Sequence, residues 1–252
     1  MTQQQSWVFG HHAVSALLRV NPERAIALWV TINPKNLAQA EILKQVETLG
    51  IPIHPVDKRE LSKRSSSQQH QGVALMAKPK RDGGDKDLER FASKLIEDKP
   101  ALLLILDQVQ DPHNFGACLR TADAAGADAV IVAKDNASPM TPVVQKVASG
   151  AAETLPIFRV TNLARSMDSL KQQGIWMIGT SDKAKVSLYQ ADLTASIALV
   201  MGAEGKGMRQ LTEKKCDSLV SLPMAGSVVS SLNVSVATGV CLYEVVRQRN
   251  KS

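Results

Sequence analysis

The sequence predicts a two-part α/β protein: a small α/β unit at the amino end and a larger unit built on a parallel sheet. Three observations predict it. Short runs of Val, Ile, Leu and Ala alternate with segments whose apolar residues recur at helical spacing, the pattern of strands joined by helical crossovers. Several of these runs end in glycine-containing polar loops, where open α/β sheets place ligands. Between the two parts lies residues 78–87, KPKRDGGDKD, with a proline, two glycines, alternating charges and no apolar residue.

In the first part, Gly10 precedes a short helix over 11–19 that Asn21-Pro22 stops. Residues 27–32 read as a buried strand containing Trp29. Residues 37–49 carry Leu37, Ala40, Ile42, Leu43, Val46 and Leu49 on one helical face, and Gly50 ends the helix. A strand over 51–56 follows. Asp57-Lys58-Arg59-Glu60 has the spacing of a capping box and opens a helix to about residue 64. Residues 65–72 form a polar loop, and 73–77 a last strand. The expected result is a βαβ-type unit of about 75 residues, at the small end for a domain.

The second part begins after a helix over 88–96. Residues 101–106, ALLLIL, form an uninterrupted apolar run, as in a parallel strand covered on both faces. A polar loop and a helix through Ala125 follow, ended by Gly126. Then come a strand at 129–133, a small-residue helix at 142–149, and an extended stretch at 154–159. Thr161 is placed to cap a helix carrying Leu163, Met167 and Leu170 and ended by Gly174. Strands at 175–180, 197–201 and 219–222 precede a long closing helix. The expected division is 1–78 as one domain, 79–98 as linker and connecting helix, and 99–252 as the second domain.

Composition narrows the function. The chain has 252 residues, 44% hydrophobic, with a net charge of +6. Residues 1–80 hold ten Lys/Arg against five Asp/Glu, 81–98 four against six, and 99–252 sixteen against thirteen. The basic amino-terminal third suits a nucleic-acid partner. Aromatics are only 4%, so recognition rests on phosphates, shape and a few polar contacts. The three cysteines, Cys118, Cys216 and Cys241, lie far apart without a Cys-x-x-Cys, and the five histidines lack metal-ligand spacing. No metal and no disulfide are expected. The start lacks a signal-peptide pattern and no run approaches the ~20 apolar residues of a membrane span, so a cytoplasmic protein without a membrane partner is expected.

Three clusters carry candidate chemistry. In the first, Asn114 sits at or near a helix start, where exposed N–H groups attract anions, and Arg120 offers a planar fork for a phosphate. In the second, Gly202-Ala203-Glu204-Gly205-Lys206-Gly207 lets backbone approach a ligand closely. It lacks the Gly-Lys-Ser/Thr of a phosphate loop and the spacing of a dinucleotide fingerprint. In the third, Ser230, Ser231 and Asn233 bring hydroxyls and an amide to a helix start, more than one cap requires.

DPHNFGACLRTADAAG, LVMGAEGKGM and LPMAGSVVSSLNVSVATG resemble the three motifs of the TrmH family, in the SPOUT class of RNA 2′-O-ribose methyltransferases. VFGHHAVSALL and HQGVALMAKP are similar to the entry into and exit from that family's RNA-binding domain. The resemblance implies a SPOUT α/β catalytic domain with a carboxyl-terminal trefoil knot, preceded by a small α/β RNA-binding domain. It implies S-adenosylmethionine as cofactor, contacted at Thr180, Gly202, Leu222 and Leu232, largely through backbone. Asn114, Arg120, Glu204, Ser231 and Asn233 match the family's catalytic positions. The implied partners are 23S ribosomal RNA, with a guanosine ribose as target, and a second copy of the chain. Relatives acting on transfer RNA, or an assembly factor that binds ribosomal RNA without methylating it, are the alternatives. One departure stands out: Gly226 to Asn233 is a residue longer than the family pattern, with Val228-Val229 as the insertion.

The chemistry implied is alignment of a ribose 2′-oxygen with an activated methyl group and removal of the hydroxyl proton. Arginine is a poor proton acceptor. Arg120 is therefore expected to clamp the adjacent phosphate and polarise the hydroxyl, with Asn114, Ser231 and Asn233 fixing geometry.

Overall fold

The strands and helices of the computed structural model, in chain order, begin with β1 (Ser6–Phe9), α1 (His11–Val20), β2 (Ala25–Thr31), α2 (Leu37–Thr48), β3 (Ile53–Val56), α3 (Lys58–Ser65) and β4 (Val73–Ala77). They continue with α4 (Asp85–Leu95), β5 (Leu102–Leu106), α5 (Pro112–Ala124), β6 (Ala129–Ala133), α6 (Pro142–Ala148), α7 (Ala151–Thr154) and β7 (Ile157–Val160). The last are α8 (Leu163–Gln172), β8 (Trp176–Thr180), β9 (Val186–Ser187), β10 (Ile197–Met201), α9 (Gln210–Lys215), β11 (Ser218–Ser221) and α10 (Val234–Arg249). The structure describes residues 6–32, 37–65, 70–95, 99–228 and 230–250. Two compact units result: Met1–Arg81 with Pro142–Thr154, and Asp82–Thr141 with Leu155–Ser252.

The first unit is a four-stranded sheet in the order β1-β4-β2-β3. The strands β2 and β3 are parallel, as a βαβ unit requires, while β4 runs antiparallel to both β1 and β2. Alternation along β2 sends Leu28 and Val30 to one face and Ala27 and Trp29 to the other. The first face packs on Val14 and Leu17 of α1 and Ile42 and Val46 of α2. The second packs on Leu61 of α3. The strand β1 was not among the expected elements. Four residues bounded by Gly10 are too few for alternation to declare a strand. The antiparallel pairs β2–β4 and β1–β4 make the unit a mixed sheet, not a bare βαβ. Within the same unit α7 packs on α1, and Arg24 forms an ion pair with Glu153.

Asp57 caps α3 as expected, its carboxylate accepting the Glu60 N–H at 2.7 Å. The other half of the expected box is replaced: Glu60 accepts from Arg64 at 2.7 Å, an i,i+4 pair. Part of the expected loop at 65–72 lies outside the described residues. Its described end, residues 70–72, is a turn as expected, with the His70 side chain buried at 1% exposure.

The second unit is a seven-stranded sheet, order β7-β6-β5-β10-β8-β11-β9, with every pairing parallel. All five residues of β5 are buried, as its unbroken apolar run requires of a central strand. The helix α4 packs in this unit: Leu88 and Ala92 join Leu103, Ile105, Phe158 and Met167 in one core. Gly83 continues the sheet edge beside Phe158, whose ring carbon lies 2.5 Å from where a Cβ would stand. The expected Thr161 cap is corrected to Asn162, whose side chain accepts the Arg165 N–H at 3.1 Å; Thr161 instead donates its hydroxyl to Asp85 at 2.9 Å. The extended stretch begins at Ile157, after the helical turn Ala151–Thr154.

Candidate active site

In a parallel sheet all carboxyl ends share one edge. In the order β5-β10-β8-β11, Leu106 pairs with Met201, Val200 with Gly179, and Thr180 with Val220. The register therefore lines up the ends of four adjacent strands, and the chain leaves them at Asp107, Gly202, Ser181 and Leu222. Thr180 closes β8, its hydroxyl donating to the Val200 carbonyl at 3.4 Å.

The loop after β10 is a backbone structure. The Ala203 N–H donates to the Gly207 carbonyl at 3.1 Å and the Gly207 N–H returns to the Ala203 carbonyl at 2.9 Å. Gly205 and Gly207 hold φ of +74° and +67°, the left-handed region open to glycine. A Cβ on Gly202 would stand 2.2 Å from the Gly207 carbonyl carbon and the Met208 nitrogen, so no side chain fits. The exit of the loop is anchored by Asp107, a fully buried carboxylate that accepts from the Arg209 N–H at 2.9 Å and its guanidinium at 2.8 Å.

Three loops converge on one hydrogen-bonded triangle. Asp111 caps α5 by accepting the Asn114 N–H at 2.7 Å, which frees the Asn114 side chain from capping. Asn233 caps α10: its Oδ1 accepts from the Ser235 N–H at 2.9 Å and hydroxyl at 2.7 Å. Those two donors fix which end of the amide is oxygen, so Nδ2 faces the site. It donates to Asn114 Oδ1 at 3.0 Å and to Glu204 Oε2 at 3.1 Å. Asn114 Oδ1 being an acceptor, its Nδ2 turns to Glu204 Oε2, at 3.4 Å. Glu204 thus holds two amides, one from each of the other motif loops.

Arg120 is exposed on α5, six residues and about 9 Å of helix rise beyond Asn114. Ser231 is exposed on the approach to α10. Neither hydrogen-bonds to the triangle among the described residues. Leu222 and Leu232 are half-buried, and Val228 is 92% exposed; Val229, beside it where the extra residue is expected, lies outside the described residues. Beneath the triangle, Cys118 is buried against Thr238 at 3.5 Å, and burial pushes its thiol up to about 11, a core residue and no nucleophile. Among the described residues no group of three or more His, Cys, Asp or Glu is placed to hold a metal, and no helix is long and apolar enough to cross a membrane.

The SpoU rRNA methylase family profile matches residues 101–243, over half of the chain. The protein belongs to the SpoU rRNA methylase family. A second profile, RNA 2′-O ribose methyltransferase substrate binding, matches residues 7–83. Among SpoU relatives, the 23S rRNA (guanosine-2′-O-)-methyltransferase RlmB of Shewanella oneidensis is 50% identical over 98% of this chain and 99% of its own. The RlmB of Vibrio vulnificus is 50% identical over 96% and 97%. In structure, the SpoU methyltransferase AviRb from Streptomyces viridochromogenes, solved in complex with AdoMet, superposes with a TM-score of 0.80 at 25% identity, covering 98% of this chain and 92% of its own. The TrmH/SpoU tRNA modifying enzyme of A. aeolicus covers 66% of this chain and 84% of its own, with a TM-score of 0.56 at 30% identity.

Sequence reasoning missed Asp107 and Asp111. Both carried a signal. An acidic residue directly after a wholly apolar run must find a partner if the run is buried. An Asp three residues before Asn114, with Pro112 between, has the spacing of a cap followed by proline at the first helical position.

Proposed function

We propose that this protein transfers a methyl group from S-adenosylmethionine to the ribose 2′-hydroxyl of a guanosine in 23S ribosomal RNA, in the cytoplasm. The observation that carries the reading is the Asn114–Glu204–Asn233 triangle, formed by all three motif loops beyond the ends of parallel strands. Full-length likeness to two 23S guanosine 2′-O-methyltransferases supports the substrate.

The residues at the cofactor positions fit the group. Glycine at 202 lets the Gly207–Met208 backbone close against the end of β10, and Gly205 and Gly207, with open space where a Cβ would stand, leave the outer side of the loop as bare backbone for a ligand to approach. Thr180, Gly202 and Leu222 stand at three neighbouring strand ends, and Leu232 adjoins the triangle at Asn233. When bound, S-adenosylmethionine supplies a methyl group on a sulfonium, already activated for transfer. This chain's residues then orient the ribose. The Asn114 amide, held by Glu204 and by Asn233, keeps one N–H and one lone pair to position the 2′-oxygen, and Asn233 fixes its geometry; Ser231 adds a hydroxyl at the same edge. Arg120 grips the adjacent phosphate with its planar fork and polarises the hydroxyl. No residue here requires a metal, since methyl transfer builds no phosphate charge to neutralise.

The reading extends to the assembly. The RNA-binding domain is built on residues 1–78 and the SPOUT domain on 99–252, with 79–98 leading from one to the other; 142–154 pack with the first and the helix α4 with the second. The trefoil knot of that class is part of the proposal, supported by β10 running between β5 and β8 while β11 lies beyond β8. So is a homodimer: Val236 and Tyr243, seven residues apart on one face of α10, are 53% and 52% exposed. In the dimer Arg120 reaches the site near the subunit interface.

Mapping ribose methylation in RNA from cells with and without the gene tests the reading. One 23S guanosine loses its methyl group if the proposal holds. Loss at a transfer-RNA position instead would assign the protein to the tRNA-modifying branch of the family.

A further inference from the structure

We infer that a cleft of about 900 Å³ within the first unit receives a single unpaired nucleotide of the RNA. The inference rests on the reading of that unit as the RNA-binding part. The volume falls within the ~300–1,000 Å³ of sites that enclose one small ligand. A duplex cannot enter such a space, whereas an unstacked base can, and unpaired bases are where RNA sequence is read.

The wall of the cleft is braced by its own hydrogen bonds and close packing. Gly72 holds φ +82°, and a Cβ there would stand 2.0 Å from Gln39 Nε2 and 2.8 Å from Thr31 Oγ1. Gln39, 3% exposed, donates to the Gln71 carbonyl at 3.0 Å. Gln71 itself adopts φ +54°, unusual for a residue with a side chain, and its Oε1 accepts the His11 N–H at 2.9 Å. The buried His70 ring is held by Ser62 Oγ at 3.1 Å and by the Gly72 N–H at 3.0 Å. Backbone strain over-determined by its surroundings clusters at ligand clamps. Ile32, 61% exposed, leaves an apolar surface on the lining that a base could cover.

The charge suits a phosphate. Lys58 and Lys146 both line the cleft, both are exposed, and neither has an ion-pair partner among the described residues. The one carboxylate on the lining, Asp57, is engaged in capping α3. A nucleotide with its base between Ile32 and the Gln39–Gly72 wall and its phosphate toward the two lysines satisfies both halves of the site.

Photocrosslinking of the full-length protein to a 23S rRNA transcript, with 4-thiouridine at unpaired positions around the methylated guanosine, tests this. Peptides containing Gly10–Ala13 or His70–Gly72 should carry the adduct. Lys58→Ala/Lys146→Ala should weaken RNA binding at least tenfold and lower the salt slope by about one to two, one condensed counterion per lysine. Its affinity for S-adenosylmethionine, read by calorimetry, should be unchanged and certifies the fold. Gly72→Ala should lose the adduct even if RNA still binds through other surfaces. Adducts confined to other peptides, with double-variant affinity within twofold, would overturn the cleft and leave the methyltransferase reading intact. So would a defect seen only with ribosomal particles and not with naked RNA, which would mark a protein partner. Cross-links in the cleft without methyl transfer would do the reverse, sustaining the cleft and refuting the reading of function.

Discussion

Asn233 performs two tasks with one amide: its oxygen caps α10 and its nitrogen donates into the Asn114–Glu204 pair. The tasks separate by substitution. Asp caps a helix as well as Asn does, so Asn233→Asp should keep the cap, yet it removes both donated bonds and sets a second carboxylate against Glu204, and should lower kcat at least a hundredfold. Asn233→Ala should cost about 1 kcal/mol of stability as well as activity. Parallel melting curves and single-turnover rates check both. Arg120→Lys keeps the charge but loses the fork, and should lower turnover or RNA affinity by tenfold or more; no change in either would remove Arg120 from the mechanism. The motif residues were legible in the sequence because Asn, Ser, Glu and Gly crowd three short loops. The division of labour was not. Asn114 suggested a cap, and only the placement of Asp111 shows that the cap lies three residues earlier, leaving the Asn114 amide for the triangle. Likewise a polar stretch concealed His70, whose burial depends on α3 and the turn at Gly72 meeting around it.

At the scale of elements, two fixtures hold the edge of the sheet where the site lies and its opposite end. Gly202→Ala would drive a methyl group into the Gly207–Met208 backbone; we expect loss of S-adenosylmethionine binding by calorimetry, with the far-UV spectrum retained. At the amino ends of the strands, the last residue of α10, Arg249, donates to the carbonyls of Pro100 at 2.8 Å, Ala101 at 2.9 Å and Ala195 at 2.7 Å. Arg249→Ala should destabilise the protein by about 2 kcal/mol, and Lys should restore little, since one ammonium cannot span three carbonyls; denaturant midpoints read this. The apolar runs announced β5, β6 and β10, buried along their whole length, because a doubly covered strand tolerates no polar residue. The short edge strands β1 and β9, of four and two residues, had no such signature. Their existence follows from pairing with distant chain, which no local pattern encodes.

Over the whole molecule, the alternation of strands and helices and the polar break at 78–87 were enough to foresee two α/β parts. What could not be read was the traffic between them. Residues 142–154 pack with the first unit although they follow the first strands of the second, and α4 packs with the second although the charge pattern groups it with the break. The first unit also carries a pH dependence. Burial, with Lys58 beside it, lowers the His70 pKa below its ordinary 6.5, and burial lowers that of His11. The unfolded chain then takes up protons first as pH falls. Stability is therefore present above pH 6.5 and is lost as pH drops below it, the opposite of a histidine paired with a carboxylate. Melting temperature should fall from pH 7 to pH 5, and His70→Gln should flatten that fall.

The central claim is that three loops at the ends of parallel strands align an RNA ribose for methyl transfer. Nucleoside mass spectrometry of 23S rRNA lacking the modification, after incubation with the purified protein and methyl-labelled S-adenosylmethionine, tests it most directly. The account predicts label in 2′-O-methylguanosine alone, and none with Asn233→Asp. Label on a base, or on no nucleoside at all, would contradict it.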